Sequence, residues 1–326
     1  MPQLFRSSIR AAFLCVAFCL ANPAAAQDGE LSPEMRQSRA AEQAPDIALG
    51  REAYIAGDHQ AALDILAPLA AAGDPVAQNV LGAIYEDGIA VERDLAAAQS
   101  WWEQSAAQGY DKAIYNLGWL LQNQADGYPN DPEAALPWIE KAMEIGYPHG
   151  FVLRAELHEA GRGGPLDEAE AAEAWETAAE LGVVDAMNHI GTMYVDGRGV
   201  DEDMASALYW FGEAAWTGDA YGLSNLGALY LNGYGLGQNT LAAMALFEAA
   251  ARRGSAQAAV NLGQLLAEWD TGFSDPVLAY GWCRVGLERA SDDERSGFEY
   301  DCAYVAELVG ETAVSEGEAF AAGFDD

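Results

Sequence analysis

Apolar residues recur along most of the chain at helical spacing. Between Asp185 and Gly218, the residues Ala186, Ile190, Met193 and Tyr194 stand at i, i+4, i+7 and i+8, one face of an amphipathic helix. Asp196-Gly197-Arg198-Gly199 interrupts this face, because glycine takes the left-handed backbone that a helix exit requires. A second stripe follows, made of Ala207, Trp210, Phe211, Ala214 and Ala215, and Gly218 ends it. Asp203 stands where it caps or charge-stabilises this second helix. The pattern predicts a helix hairpin. Gly191 and Ala214 let backbones approach closely, and Tyr194 and Trp210 fill the space beside them.

The same unit repeats. A Leu-Gly or Ile-Gly pair recurs at Leu81-Gly82, Leu117-Gly118, Ile190-Gly191, Leu226-Gly227 and Leu262-Gly263, with Leu153-Arg154 in the one missing slot. The second positions are separated by 36, 36, 37, 36 and 36 residues. Gly109, Gly146, Gly182, Gly218 and Gly254 form a second series separated by 37, 36, 36 and 36. Two independent glycine series with one spacing point to an array of stacked hairpins.

The ends depart from this period. Arg6 and Arg10 precede an apolar stretch of ten residues, Ala11 to Leu20, and Ala24-Ala25-Ala26 offers a small-x-small cleavage site. Residues 1–26 therefore read as a signal peptide cleaved after Ala26, which places the chain in the periplasm or outside the cell. The stretch is half the length of a membrane span. Residues 27–45 are polar, without a clear apolar period, and read as a linker.

Cys15 and Cys19 leave with the signal peptide, so Cys283 and Cys302 remain. They lie almost equally far from the turn Ser291-Asp292-Asp293, which predicts two antiparallel helices with both thiols at one level. In an oxidising compartment a disulfide joins them; a pair of buried free thiols is the alternative.

Composition narrows the function. Lys and Arg total 16 against 51 Asp and Glu, a formal charge of -35. No basic stripe exists to displace counterions from a nucleic acid, and an anionic membrane face would repel the chain. Of the two lysines, Lys112 and Lys141, neither stands in a phosphate-binding glycine loop. His59, His149, His158 and His189 form no HExxH motif and no GxSxG is present, so no catalytic, metal or cofactor site is expected. Glu168, Glu170, Glu173, Glu176 and Glu180 read as a solvated helix face.

The units 77–109, 185–218 and 222–254, with runs such as LGAIYEDGIAVERDLAAAQSWWEQSAAQG, resemble the Sel1-like repeat of the tetratricopeptide superfamily. The resemblance implies an all-α solenoid, a right-handed superhelix of stacked hairpins. It comprises an opening tetratricopeptide-like hairpin at 46–74, six Sel1-like repeats over 75–290 and a helical cap at 291–326.

It also implies a non-enzymatic adaptor that presents first-helix residues to a protein partner, as some exported members do to a membrane sensor. By analogy, partner-binding residues stand three before and one and four after the Leu-Gly glycine. That selects Asn79, Tyr115, Trp119, Phe151, His158 and Asn188, with Tyr115, Trp119 and Phe151 expected to cluster and His158 nearby. The negative field favours a partner with a basic segment. The family also implies a second reading, an exported enzyme of the penicillin-binding or β-lactamase kind, whose relatives carry a cysteine pair in most repeats, where this chain has one pair at its end. A cell-wall polymer binder is a third reading.

Overall fold

A computed structural model describes Met35, Glu42 and residues 44–324, except 124–130, 163–164, 235–236, 269–271 and 273. The signal peptide and nearly all of the predicted linker lie outside the described residues. Among the described residues sixteen helices and no strand occur, an all-α solenoid of helix hairpins. The chain divides into two compact bodies, one running to Ala186 and including Arg198–Val200, the other made of Met187–Gly197 and the chain from Asp201.

The first body holds α1 (Pro45–Ile55), α2 (His59–Ala71), α3 (Pro75–Asp87), α4 (Leu95–Ala106), α5 (Asp111–Gln122), α6 (Pro132–Glu144), α7 (Pro148–Glu159) and α8 (Glu168–Glu180). Consecutive helices pair: α1 with α2, α3 with α4, α5 with α6 and α7 with α8. Each second helix opens on an aspartate whose carboxylate accepts a backbone N–H of the first turn, as Asp94 does from Ala97 and Asp131 from Ala134. Such a cap contributes about 1 kcal/mol.

The Leu-Gly glycines are where hairpins close. A Cβ on Gly82 would collide with Nε1 of Trp102, so the buried indole lies directly on the α3 backbone. The Arg154 slot carries a buried Trp175 on its second helix, α8, and buried Leu153 beside Arg154.

The glycines of the second series all take left-handed φ, between 76° and 99°. At Gly146 (φ 76°) a Cβ would meet nothing within 4 Å, so only backbone strain opposes a side chain there. We expect Gly146→Ala to cost about 1–2 kcal/mol in urea denaturation, the ordinary price of left-handed backbone.

The division falls within α9 (Val184–Asp196), and the second body continues with α10 (Met204–Trp216), α11 (Ala220–Asn232), α12 (Thr240–Arg252), α13 (Ala256–Ala267), α14 (Pro276–Arg289), α15 (Asp292–Val309) and α16 (Glu311–Ala322). The ring of Phe211 covers Gly191, and Ala214 lies against Gly222 of α11, so small residues serve both within and between hairpins. Asp203 caps α10 through the N–H of Ala205.

Cys283 and Cys302 join α14 to α15 in a disulfide with a Cα–Cα distance of 5.5 Å. Asp292 and Asp293 belong to the first turn of α15 rather than to the connecting turn, because Glu294 accepts both the N–H and the hydroxyl of Ser291 and starts the helix there. α16 folds back on α14 at Gly281 and Gly317, where the two backbones come within van der Waals range. The guanidiniums of Arg252 and Arg289 stand 5.4 and 5.2 Å from the ring centre of Phe324.

Candidate functional site

After Gly73, Gly109, Gly146, Gly218 and Gly254, the residue that follows the glycine becomes the N-cap of the next first helix. Asp74, Asp219 and Ser255 fill that position with side chains that accept a first-turn N–H. Tyr110 and Tyr147 fill it without any side-chain cap. Two hairpins thus forgo about 1 kcal/mol each and gain an aromatic ring at the same structural place.

Tyr147 stands 5.6 Å from Tyr115 and 5.8 Å from His149, and Tyr115 lies 5.7 Å from His149, measured between ring centres. Burial raises the Tyr115 hydroxyl, and the negative charges of Glu156 and Glu86 raise it further. Both carboxyls are themselves pushed up, first by burial. His149 is held below the ordinary imidazole value by burial, against the pull of Asp185. The result is an aromatic cluster flanked by carboxyl groups.

Polar bonds tie neighbouring first helices together. Asn116 donates to Oδ1 of Asn79 at 3.0 Å, linking α5 to α3. Gln122, fully buried, donates to Glu156 at 2.8 Å and links α5 to α7, while Arg162 donates to the Gln122 carbonyl.

The residues selected by sequence spacing fall in different settings. Tyr115 and Trp119 lie half-buried on α5, Trp119 packed against core residues. Phe151 and His158 are half-buried on α7, and His158 is held below the ordinary imidazole value by burial and by Arg154. Asn79 is buried, and its carbonyl accepts the Trp102 indole N–H at 3.0 Å. Asn188, in the second body, donates to Asp219 at 2.8 Å. The ring partners of Tyr115 are Tyr147 and His149, which the spacing rule passes over. A tyrosine after the glycine, where Asp74, Asp219 and Ser255 stand in three sister repeats, is the signal that finds Tyr147.

A second cluster lies at the start of α5. Oε1 of Glu42 accepts the Tyr110 hydroxyl at 2.6 Å and pairs with Lys112 Nζ at 2.8 Å, and Oε2 pairs with Arg51 at 2.8 Å. Burial pushes the Glu42 carboxyl up, but hydrogen bonds from Lys112 and Tyr110 and the charges of Lys112 and Arg51 outweigh it and hold the carboxyl below its ordinary value. Asp111 and Tyr147 are close enough to share this field. A lowered folded value means that the contribution is present above pH 4.5 and lost as pH falls through the lowered value. Urea denaturation across a pH series should show Glu42→Gln losing less stability below pH 4.5 than the parent chain.

The Sel1 repeat family model matches residues 75–110, 111–147, 153–183, 184–215 and 220–255, together just over half of the chain. The chain belongs to the Sel1 repeat family. The next hairpin, α13 with α14, follows the matched spans. A Sel1 repeat protein from Oxalobacter formigenes is similar in structure, with a TM-score of 0.66 and 29% identity over 74% of this chain and 99% of that one. A protective antigen of uropathogenic Escherichia coli strains, with an SLR fold, has a TM-score of 0.68 and 27% identity, covering 90% of this chain and 64% of its own. A putative sel1-like repeat-containing protein of Acanthamoeba polyphaga mimivirus is 34% identical over 85 residues, 26% of this chain and 15% of that protein. The chain therefore spans less than two thirds of the antigen and a small part of the viral protein.

Sel1 repeats are a protein-interaction type of repeat. Among the described residues, no helix is long and apolar enough to cross a membrane, and no group of three or more His, Cys, Asp or Glu side chains could hold a metal ion.

Proposed function

We propose that this Sel1 repeat protein is a non-enzymatic scaffold of the bacterial cell envelope. Its first body takes a polypeptide segment carrying basic residues. The observation that supports this reading is the Tyr115–Tyr147–His149 cluster, with Glu86 and Glu156 near enough to Tyr115 to act on its hydroxyl. Aromatic faces attract Lys and Arg side chains, and nearby carboxyls add charge complementarity and orientation. Rigid aromatic anchors are also the residues that carry most binding energy at protein interfaces. The excess of acidic over basic residues across the chain works in the same direction at long range.

A photo-crosslinking amino acid at position 147, compared with one at exposed Glu173 on α8, tests the assignment in cells. The reading expects one discrete envelope polypeptide to be captured from position 147 and not from 173. Equal capture from both positions, or capture of cytosolic proteins alone, would count against it.

A further inference from the structure

The Glu42 cluster has the form of a receptor with its ligand already bound. The receptor side comes from two separate hairpins: Arg51 on α1, and Tyr110 and Lys112 at the start of α5. Tyr110 is 3% exposed and its ring belongs to the hydrophobic core of the first body. Both carboxylate oxygens are engaged, one by a hydroxyl and an ammonium, the other by a guanidinium. In a chain with 16 basic residues and only two lysines, three donors converge on one carboxylate that precedes α1. Tyr110 also occupies an N-cap position where other hairpins carry a capping side chain.

We propose that Arg51, Tyr110 and Lys112 form a carboxylate-recognition site for a glutamate-bearing peptide, and that Glu42 occupies it as a tethered ligand. This inference is independent of the basic-segment reading. A short tether gives Glu42 an effective concentration of roughly millimolar, so a free acidic peptide gains the site only when Glu42 is removed or outcompeted. Hydrogen bonds between charged groups are about twice as strong as neutral ones, and this favours a carboxylate over an amide in the cradle.

The test uses the full chain carrying Glu42→Gln and a capped peptide with the sequence of residues 38–45, followed by NMR at the amides of Arg51, Tyr110 and Lys112. Saturable shifts at those three amides are expected, at peptide concentrations at least tenfold lower than in the parent chain. A peptide with glutamine in place of its glutamate should bind at least tenfold more weakly, and adding Lys112→Ala should abolish the shifts. Equal response to the two peptides, or an unchanged response between Glu42→Gln and the parent, would overturn the proposal. The circular dichroism signal at 222 nm is read in Glu42→Gln and Glu42→Ala alike. It should be preserved, and loss of helix in both variants would make Glu42 a structural anchor and also overturn it.

Discussion

Trp102→Ala is expected to lower stability by about 3–5 kcal/mol, the range for removing a buried tryptophan. Trp102 is 1% exposed, lies directly over Gly82 and donates its indole N–H to the Asn79 carbonyl. Gly82 has no side chain that could move into the space, so the cavity would stay largely open. In a repeat array each hairpin is supported only by its neighbours, and the loss should spread to α5, which packs against α4. Trp102→Phe, which keeps most of the volume and loses the indole donor, should cost considerably less. Urea denaturation of the three chains measures both differences, and a Trp102→Ala cost below about 1 kcal/mol would show that the hairpin closes by other contacts.

The disulfide gives the second large effect. Cys283 and Cys302 are separated by 19 residues, and a closed loop of that size restricts the unfolded chain by about 3 kcal/mol in the chain-entropy model. Both sulfurs are buried between α14 and α15, so Cys283→Ser with Cys302→Ser also places two hydroxyls in an apolar setting. The double Ala variant separates the two contributions. It should lose about 3 kcal/mol against the oxidised parent and little against the parent in reducing agent. Equal stability of oxidised and reduced parent would mean that Phe320 of α16 and Phe324 beyond it, packed on Trp282 of α14, secure this end without the bond.

The hairpins were legible in the sequence because glycine marks two different mechanical requirements at one period. Gly82 and Gly191 mark contact with a ring of the paired helix, and Gly146 marks left-handed backbone. The cysteine pairing was legible for a similar reason, since it depends on a single short helix turn.

The candidate site was only partly legible. Tyr115 and Trp119 follow from repeat position, whereas Asn79 satisfies the same spacing rule and yet is buried by Trp102 and Asn116. Tyr147 and His149 lie outside that rule because they belong to the helix start rather than to its exposed face. The Glu42 cluster was not legible at all. Glu42 and Tyr110 are 68 residues apart, and no local pattern pairs a residue of a polar stretch with a distant N-cap.

On the proposed function, the rings and carboxyls of the first body bind a basic polypeptide segment. The most direct measurement is the affinity of a labelled Lys/Arg-rich peptide, with a neutral peptide as control, titrated against ionic strength in the parent and in Tyr115→Ala/Tyr147→Ala. The Debye length shrinks from about 10 Å at 0.1 M to about 3 Å at 1 M, so charge-selected binding should weaken at least about tenfold over that range. The double variant should bind at least about tenfold more weakly at low salt. An affinity flat across ionic strength and unchanged in the double variant would contradict the claim.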